Sequence, residues 1–263
     1  MDSHTEKNMS KFLKFGLAAL GMLALMRLAT AAPDTITETR TVDARVVRIK
    51  IDGVVDLRVR QGNPASLVLS GDPRWIAKMT TLQSGDTVVI STETHEMRMQ
   101  RKNGVRADIV LPNLREVSSE SVGITEITGF KGDELELSLD GAGSMNVNAD
   151  FRLISASLGG VGSMKLAGMN SERITLDLQG AGYVTLAGRS KSLKAELGGL
   201  GSLDAQQFAA DTVTLELSGL GNATITANQS ANLNLSGMGS VTVYGKPLNR
   251  RVSVDGLGKV SWK

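Results

Sequence analysis

Three carboxylates recur at a spacing that could do chemistry: Asp177, Glu196 and Glu216 follow one another at intervals of 19 and 20 residues. If the chain coils with that period, they stack in one outward column about 4.8 Å apart, the distance between neighbouring strands. Carboxylates that close either raise one another's pKa values or share a cation. Paired carboxylates on adjacent coils could also serve acid–base cleavage of a polysaccharide. Lys194 lies two places before Glu196 on the same outward face, which favours a solvated, charge-relieved ladder. The ladder is kept as a metal candidate, and no cofactor and no catalytic residue are expected.

Other reactive groups are scarce. The chain has no cysteine, which excludes disulfides, thiol catalysis, a cysteine zinc site and a lipidated N-terminal cysteine. Of the two histidines, His4 is near the start and His95 is alone in a charged stretch. That stretch, His95 to Arg106 (HEMRMQRKNGVR), gathers Arg98, Arg101, Lys102 and Arg106. It is read as a solvated hairpin loop, the alternative being a patch for anionic glycans or lipid headgroups. Outside the phenylalanines, the aromatic platforms a sugar ring could stack on are Trp75, Trp262, Tyr183 and Tyr244.

What must position these groups is a repeat. Seven G-x-G tripeptides occur at Gly141-Ala142-Gly143, Gly160-Val161-Gly162, Gly180-Ala181-Gly182, Gly199-Leu200-Gly201, Gly219-Leu220-Gly221, Gly237-Met238-Gly239 and Gly256-Leu257-Gly258. A fixed period near 20 with a strand on each side of the glycines marks a solenoid. Before each tripeptide the residues alternate. Leu139, Leu158, Leu178, Leu197, Leu217, Leu235 and Val254 form one apolar column, and Leu137, Ala156, Leu176, Ala195, Leu215, Leu233 and Val252 form another. Between these columns stand polar residues such as Ser138, Asp177 and Asn234. After the tripeptide the alternation resumes with Met145, Met164, Val184, Leu203, Ala223, Val241 and Val260. Period two with one apolar face means strands with one buried side. The spacing therefore predicts an all-β fold, a right-handed parallel β-helix with about 19–20 residues per coil.

Each G-x-G is expected to turn a corner at positive φ, which glycine alone reaches cheaply. The apolar residue between the glycines is expected to point inward and plug that corner. A phosphate cradle is not indicated, because such a motif occurs once, between a strand and a helix.

The first 31 residues are expected to be an export signal. Lys7, Lys11 and Lys14 form a basic region, Phe15 to Met26 an apolar one, and Ala29-Thr30-Ala31 a small-residue cleavage site. Pro33 places the cut after Ala31. The alternative is an uncleaved anchor, but Arg27 interrupts the apolar run short of the roughly 20 residues a span needs. Removing the segment leaves 25 basic and 25 acidic residues, so the basic balance belongs to the signal and does not point to nucleic acid. The organisation expected is a signal at 1–31, an irregular N-terminal β region at 32–130 and the regular β-helix at 131–263.

In the irregular region, IKIDGVVDLRVRQG (Ile49 to Gly62) aligns with LSLDGAGSMNVNAD (Leu137 to Asp150), with Val55 in place of the second glycine. SLVLSGD, DTVVIST and ADIVLP add further strands. The IDGVVDLRVRQG segment, the following LVLSGDPRWIAKMTT and SGDTVVIST, and the tandem G-x-G coils together resemble one family. It is that of exported bacterial proteins carrying the auto-transporter adhesin head domain, or GIN domain, and the resemblance covers roughly residues 42–245. It implies a β-helical fold and export to the cell envelope, and supplies no catalytic residues. The function expected is an exported, non-enzymatic binding or structural module in the periplasm or at the cell surface. A carbohydrate-active enzyme, a polysaccharide lyase or hydrolase, is the alternative. The expected partner is an envelope or extracellular glycan or protein. No stable membrane span is expected once the signal is cleaved. The lysines and arginines of the last coil, Lys246, Arg250, Arg251, Lys259 and Lys263, are expected to keep the protein monomeric by opposing end-to-end strand addition.

Overall fold

The apolar columns stack as coils. A computed structural model describes residues 35–92 and 104–263. The expected export signal and the segment 95–103 lie outside the described residues. Six long strands each wrap around one coil: β9 (Ile124–Leu139), β10 (Ser144–Leu158), β11 (Val161–Leu178), β12 (Ala181–Leu197), β13 (Ser202–Leu217) and β14 (Asn222–Leu235). Each pairs in parallel with the next, and the register matches the columns seen in sequence. Leu139 lies beside Leu158, which lies beside Leu178, then Leu197, Leu217 and Leu235. Above β14 the next coil is made of β15 (Ser240–Tyr244) and β16 (Asn249–Val254), both parallel to β14, and β17 (Lys259–Trp262) begins a further coil in parallel with β15. The result is a parallel β-solenoid of about seven turns.

The inner columns are the core. Leu137, Ala156, Leu176, Ala195, Leu215 and Leu233 are all buried, as are Met145, Met164, Val184, Leu203, Ala223 and Val241. Phe130, Phe151 and Phe208 are the largest of the enclosed side chains. Val252 and Val254 are exposed, since no described coil stacks beyond them.

The irregular region begins the same solenoid, out of chain order. β2 (Arg48–Gly53) and β3 (Val55–Gln61) form a coil lying beneath β8 (Glu116–Ser121) and β9. The sequence alignment holds through that intermediate coil: Val59 pairs with Ile127, which pairs with Val147. On the other side of β2 and β3 lie β6 (Thr87–Thr92) and β7 (Val105–Leu111), again in parallel. There the parallel order stops. β5 (Met79–Ser84) is antiparallel to β6, β4 (Ser66–Gly71) to β7, and β1 (Ile36–Arg40) to β4. These strands cover the first coil, as the atypical terminal units of solenoids do. One helical turn, α1 (Pro73–Ile76), follows β4, with Asp72 as its N-cap and proline in the first turn, where its missing N–H is harmless.

The corner expectation is corrected in both its parts. None of the G-x-G glycines has a left-handed backbone; among the described residues positive φ falls instead at Gly53, Gly71, Gly85, Gly129, Gly168, Gly188 and Gly245. The G-x-G glycines are needed because coils approach too closely for a side chain. A Cβ on Gly160 would lie 2.0 Å from the carbonyl oxygen of Gly141, and one on Gly180 2.0 Å from that of Gly160. The residue between the glycines does not plug the interior either. Ala142, Val161, Ala181, Leu200, Leu220, Met238 and Leu257 are all exposed.

Candidate functional site

The acidic column forms as expected. Asp177 is in register with Glu196, and Glu196 with Glu216, on β11, β12 and β13. The column continues with Asn234 and Ser253, so acid occupies only three coils of it. Each of the first two carboxylates has a local partner. Gln179 donates to Asp177 Oδ1 at 2.7 Å, and Lys194 Nζ stands 2.5 Å from Glu196 Oε1. The hydrogen bond to Glu196, then its charge, holds the Lys194 ammonium above the usual lysine range, and Glu216 adds to it. A depression of about 110 Å³ runs beside the column, lined by Gln179, Glu196, Gly198, Glu216, Ser218 and Asn234. Among the described residues no three His, Asp or Glu side chains converge as a metal site would require.

A second depression, about 240 Å³, lies over the N-terminal coils between Arg58, Arg60, Asp108, Glu126 and Thr128. Arg58 Nε meets Glu126 Oε2 at 2.8 Å across β3 and β9, with both side chains nearly half exposed. A pair so wetted is worth little to stability. Of the basic stretch, Arg106 is on β7 and exposed, while Arg98, Arg101 and Lys102 lie outside the described residues. Both tryptophans already carry a cation: Lys78 Nζ is 4.9 Å from the Trp75 ring centre, and the Arg250 guanidinium 4.4 Å from that of Trp262.

The surface that sequence reasoning missed is the G-x-G edge. The amide of Val161 donates to Gly141 O, that of Ala181 to Gly160 O, that of Leu200 to Gly180 O and that of Leu220 to Gly199 O, at 3.1–3.2 Å. These backbone bonds hold the central residues from Val161 to Leu220 in line, one per coil. Val161 and Leu200 are each 64% exposed, Leu220 50%, Met238 59% and Leu257 82%. Glycine on both sides leaves each of them standing clear of the backbone. Counting by twos through the tripeptide would have found this. Leu139, Gly141, Gly143 and Met145 share inward parity, which leaves Ala142 outward.

Comparison with known proteins places this geometry in a family. The family model described as "Putative auto-transporter adhesin, head GIN domain" matches residues 47–247. No curated protein matches the chain. A crystal structure of a "putative adhesin" from Bacteroides fragilis is 20% identical, with a TM-score of 0.67 over 88% of this chain and 98% of that one. A "putative lipid binding protein" from Parabacteroides distasonis is 16% identical, with a TM-score of 0.79 over 88% and 97%. A "putative adhesin" from Parabacteroides merdae is 17% identical, with a TM-score of 0.71 over 89% and 98%. At these identities the likeness is one of fold.

Proposed function

The chain belongs to the auto-transporter adhesin head GIN-domain family, and on that premise we propose that it is an exported, non-enzymatic contact module of the cell envelope. It acts in the periplasm or at the cell surface as a monomer, and holds an extended glycan or protein along its side. The observation that supports this reading is the layout of its solvent-facing groups. They form ladders of one residue per coil, such as Asn146, Lys165, Thr185, Asp204, Thr224, Thr242 and Ser261, which are neighbours in register from β10 to β17. Ladders suit a ligand with its own repeat, whereas catalysis needs unlike groups converging on one reacting atom. The carboxylates of the acidic column fall on one line instead of facing each other across a cleft, and Lys194 and Gln179 engage two of them.

The test is incubation with a panel of envelope and matrix polysaccharides, measuring retention on the immobilised polymer alongside product release. Retention without turnover is the expected result. New reducing or unsaturated ends would overturn the non-enzymatic reading in favour of a lyase or hydrolase. Export is checked by fusing alkaline phosphatase after Lys263, with activity expected only if the fusion leaves the cytoplasm.

A further inference from the structure

Seven of seven residues at the centre of the G-x-G tripeptides are apolar, yet the fold needs none of them to be. They point outward, so serine or asparagine would fill the same positions and keep the same backbone bonds. Every other outward column of the regular coils mixes in polar or charged residues, as a solvated strand face should. The apolar character of this edge therefore answers to something outside the chain.

Its dimensions narrow down what that is. Neighbouring coils are about 4.8 Å apart, so the line from Ala142 to Leu257 is roughly 29 Å long. It is one side chain wide, with roughly 500 Å² of bare apolar surface, the size of the largest and often functional patch on a soluble monomer. Two such ridges meeting would bury less than the roughly 800 Å² per partner that a stable protein interface needs. A fluid lipid surface has no such requirement, because it closes around each inserted side chain, and binding grows with the apolar area immersed.

Charge narrows it further. On the five middle coils no charged residue lies within two places of the ridge: its neighbours are glycine, then Gly159 and Ser163, Gln179 and Tyr183, Gly198 and Ser202, Ser218 and Asn222, Ser236 and Ser240. The charges four places from the ridge on these coils are Asp177, Glu196 and Glu216 before it and Lys165 and Asp204 after it, so negative charge predominates four to one, while Lys194 is engaged by Glu196. An anionic lipid surface would be repelled there, whereas a zwitterionic one would not. Tyr183 is 45% exposed beside the ridge, where its ring can lie at headgroup level while its hydroxyl donates to Asp204 Oδ2 at 3.1 Å.

We infer that the G-x-G edge docks the solenoid lengthwise onto a zwitterionic lipid surface, with Leu200, Leu220, Met238 and Leu257 entering the acyl boundary. The polar ladders on the remaining faces stay free for the ligand of the proposed function. The inference uses that reading's envelope setting, but its test is separate.

The absence of cysteine makes a local test possible. Leu220→Cys in the full chain is labelled with an environment-sensitive fluorophore and mixed with phosphatidylcholine vesicles. Emission is expected to shift blue and rise at least about threefold, and to be quenched by brominated acyl chains, as for a residue entering the acyl region. The same label at Asn232→Cys, exposed on another column of the same coil, should stay unchanged. Adding Leu200→Ser and Met238→Ser to the labelled chain should abolish the rise, while circular dichroism stays that of the parent. Salt at 0.5 M should leave the rise intact, since about a 4 Å Debye length would screen a charge-driven contact. The docking inference is overturned if there is no rise, if the rise is equal at both sites, or if salt abolishes it. A rise that grows with protein concentration in the absence of lipid overturns it too, and makes the ridge a contact between copies. None of these results bears on retention by polysaccharide, so the two readings fail separately.

Discussion

Replacing Gly219 by alanine should damage the protein far more than one methyl group ordinarily does. Its Cβ would lie 2.0 Å from the carbonyl oxygen of Gly199 and 3.0 Å from the carbonyl carbon and oxygen of Gly198. All three are backbone atoms, so no rotamer change can make room. Restoring an ordinary contact requires the two coils to part by more than about 1 Å at this edge. That stretch falls on the ladder bonds flanking the site, Leu220 N–H to Gly199 O at 3.1 Å and Ser218 N–H to Leu197 O at 2.9 Å. Each is worth about 1 kcal/mol net, and overpacking strain adds about 1–3 kcal/mol. The expected loss is about 3–5 kcal/mol, read from urea midpoints at constant slope.

Two comparisons make the reasoning refutable. Gly104→Ala has nothing within 4 Å of the new Cβ and should stay within about 0.5 kcal/mol of the parent. Gly219→Asn separates crowding from backbone conformation, since asparagine tolerates a left-handed backbone better than alanine does. Crowding makes asparagine as harmful as alanine. If asparagine is well tolerated while alanine is not, the site needs positive φ and the stacking explanation is wrong. If Gly219→Ala is as mild as Gly104→Ala, neither explanation stands.

Acid should loosen the start of the solenoid through Asp72. Its Oδ1 accepts the Arg74 amide at 2.9 Å, and the Arg74 guanidinium closes on Oδ2 at 2.5 Å. The side-chain bond from Arg74, then the backbone one, lowers the Asp72 pKa from its ordinary 3.8 to about 2. A carboxylate depressed by folding stabilises the native state above its unfolded pKa, and loses that contribution as pH falls through the folded one. Thermal melts of Asp72→Asn should therefore show lower stability at neutral pH and a shallower decline between about pH 3.8 and about 2. Acid limbs identical to the parent's would show that the pair contributes nothing. Millimolar calcium is expected to leave the melting temperature unchanged, in the parent and in Glu196→Gln alike. A rise seen in the parent and lost in the variant would make the acidic column a cation site.

Much of the fold was legible because the columns of a solenoid repeat their own evidence. One strand with Leu137 and Leu139 two apart is a short apolar pattern; seven such strands in register leave one way to stack. The N-terminal coils were harder to place. There the chain visits β2 and β3, leaves through β4, α1 and β5, and returns on the far side as β6 and β7 before climbing to β8. No local pattern encodes that detour, since it depends on which edge of the first coil is left uncovered. The coil of β8 and β9 escaped the repeat because Ser121 stands where the first glycine should be. A serine fits there at inward parity and is 1% exposed, its hydroxyl paired with that of Ser119 at 2.8 Å.

At the G-x-G edge two rules disagree: hydrophobicity points the central residue inward and parity points it outward. Parity is the stronger guide in a parallel ladder. Shifting one side chain across the backbone would break the register of every coil above it, whereas an exposed leucine costs solubility alone. Once parity is respected, residue type is free to carry other information. Along the inner columns an apolar residue says only that the core must be filled. Along the acidic column, and along the ladder from Asn146 to Ser261, polar residues say that the face meets water. At the G-x-G centres the outward position and the apolar type coincide coil after coil, against the rule that the other outward columns of the regular coils obey. A departure from local consistency repeated seven times is where a function outside the fold is to be sought. The same glycines that let the coils approach also strip the flanks of the edge, so stacking and presentation come from one device.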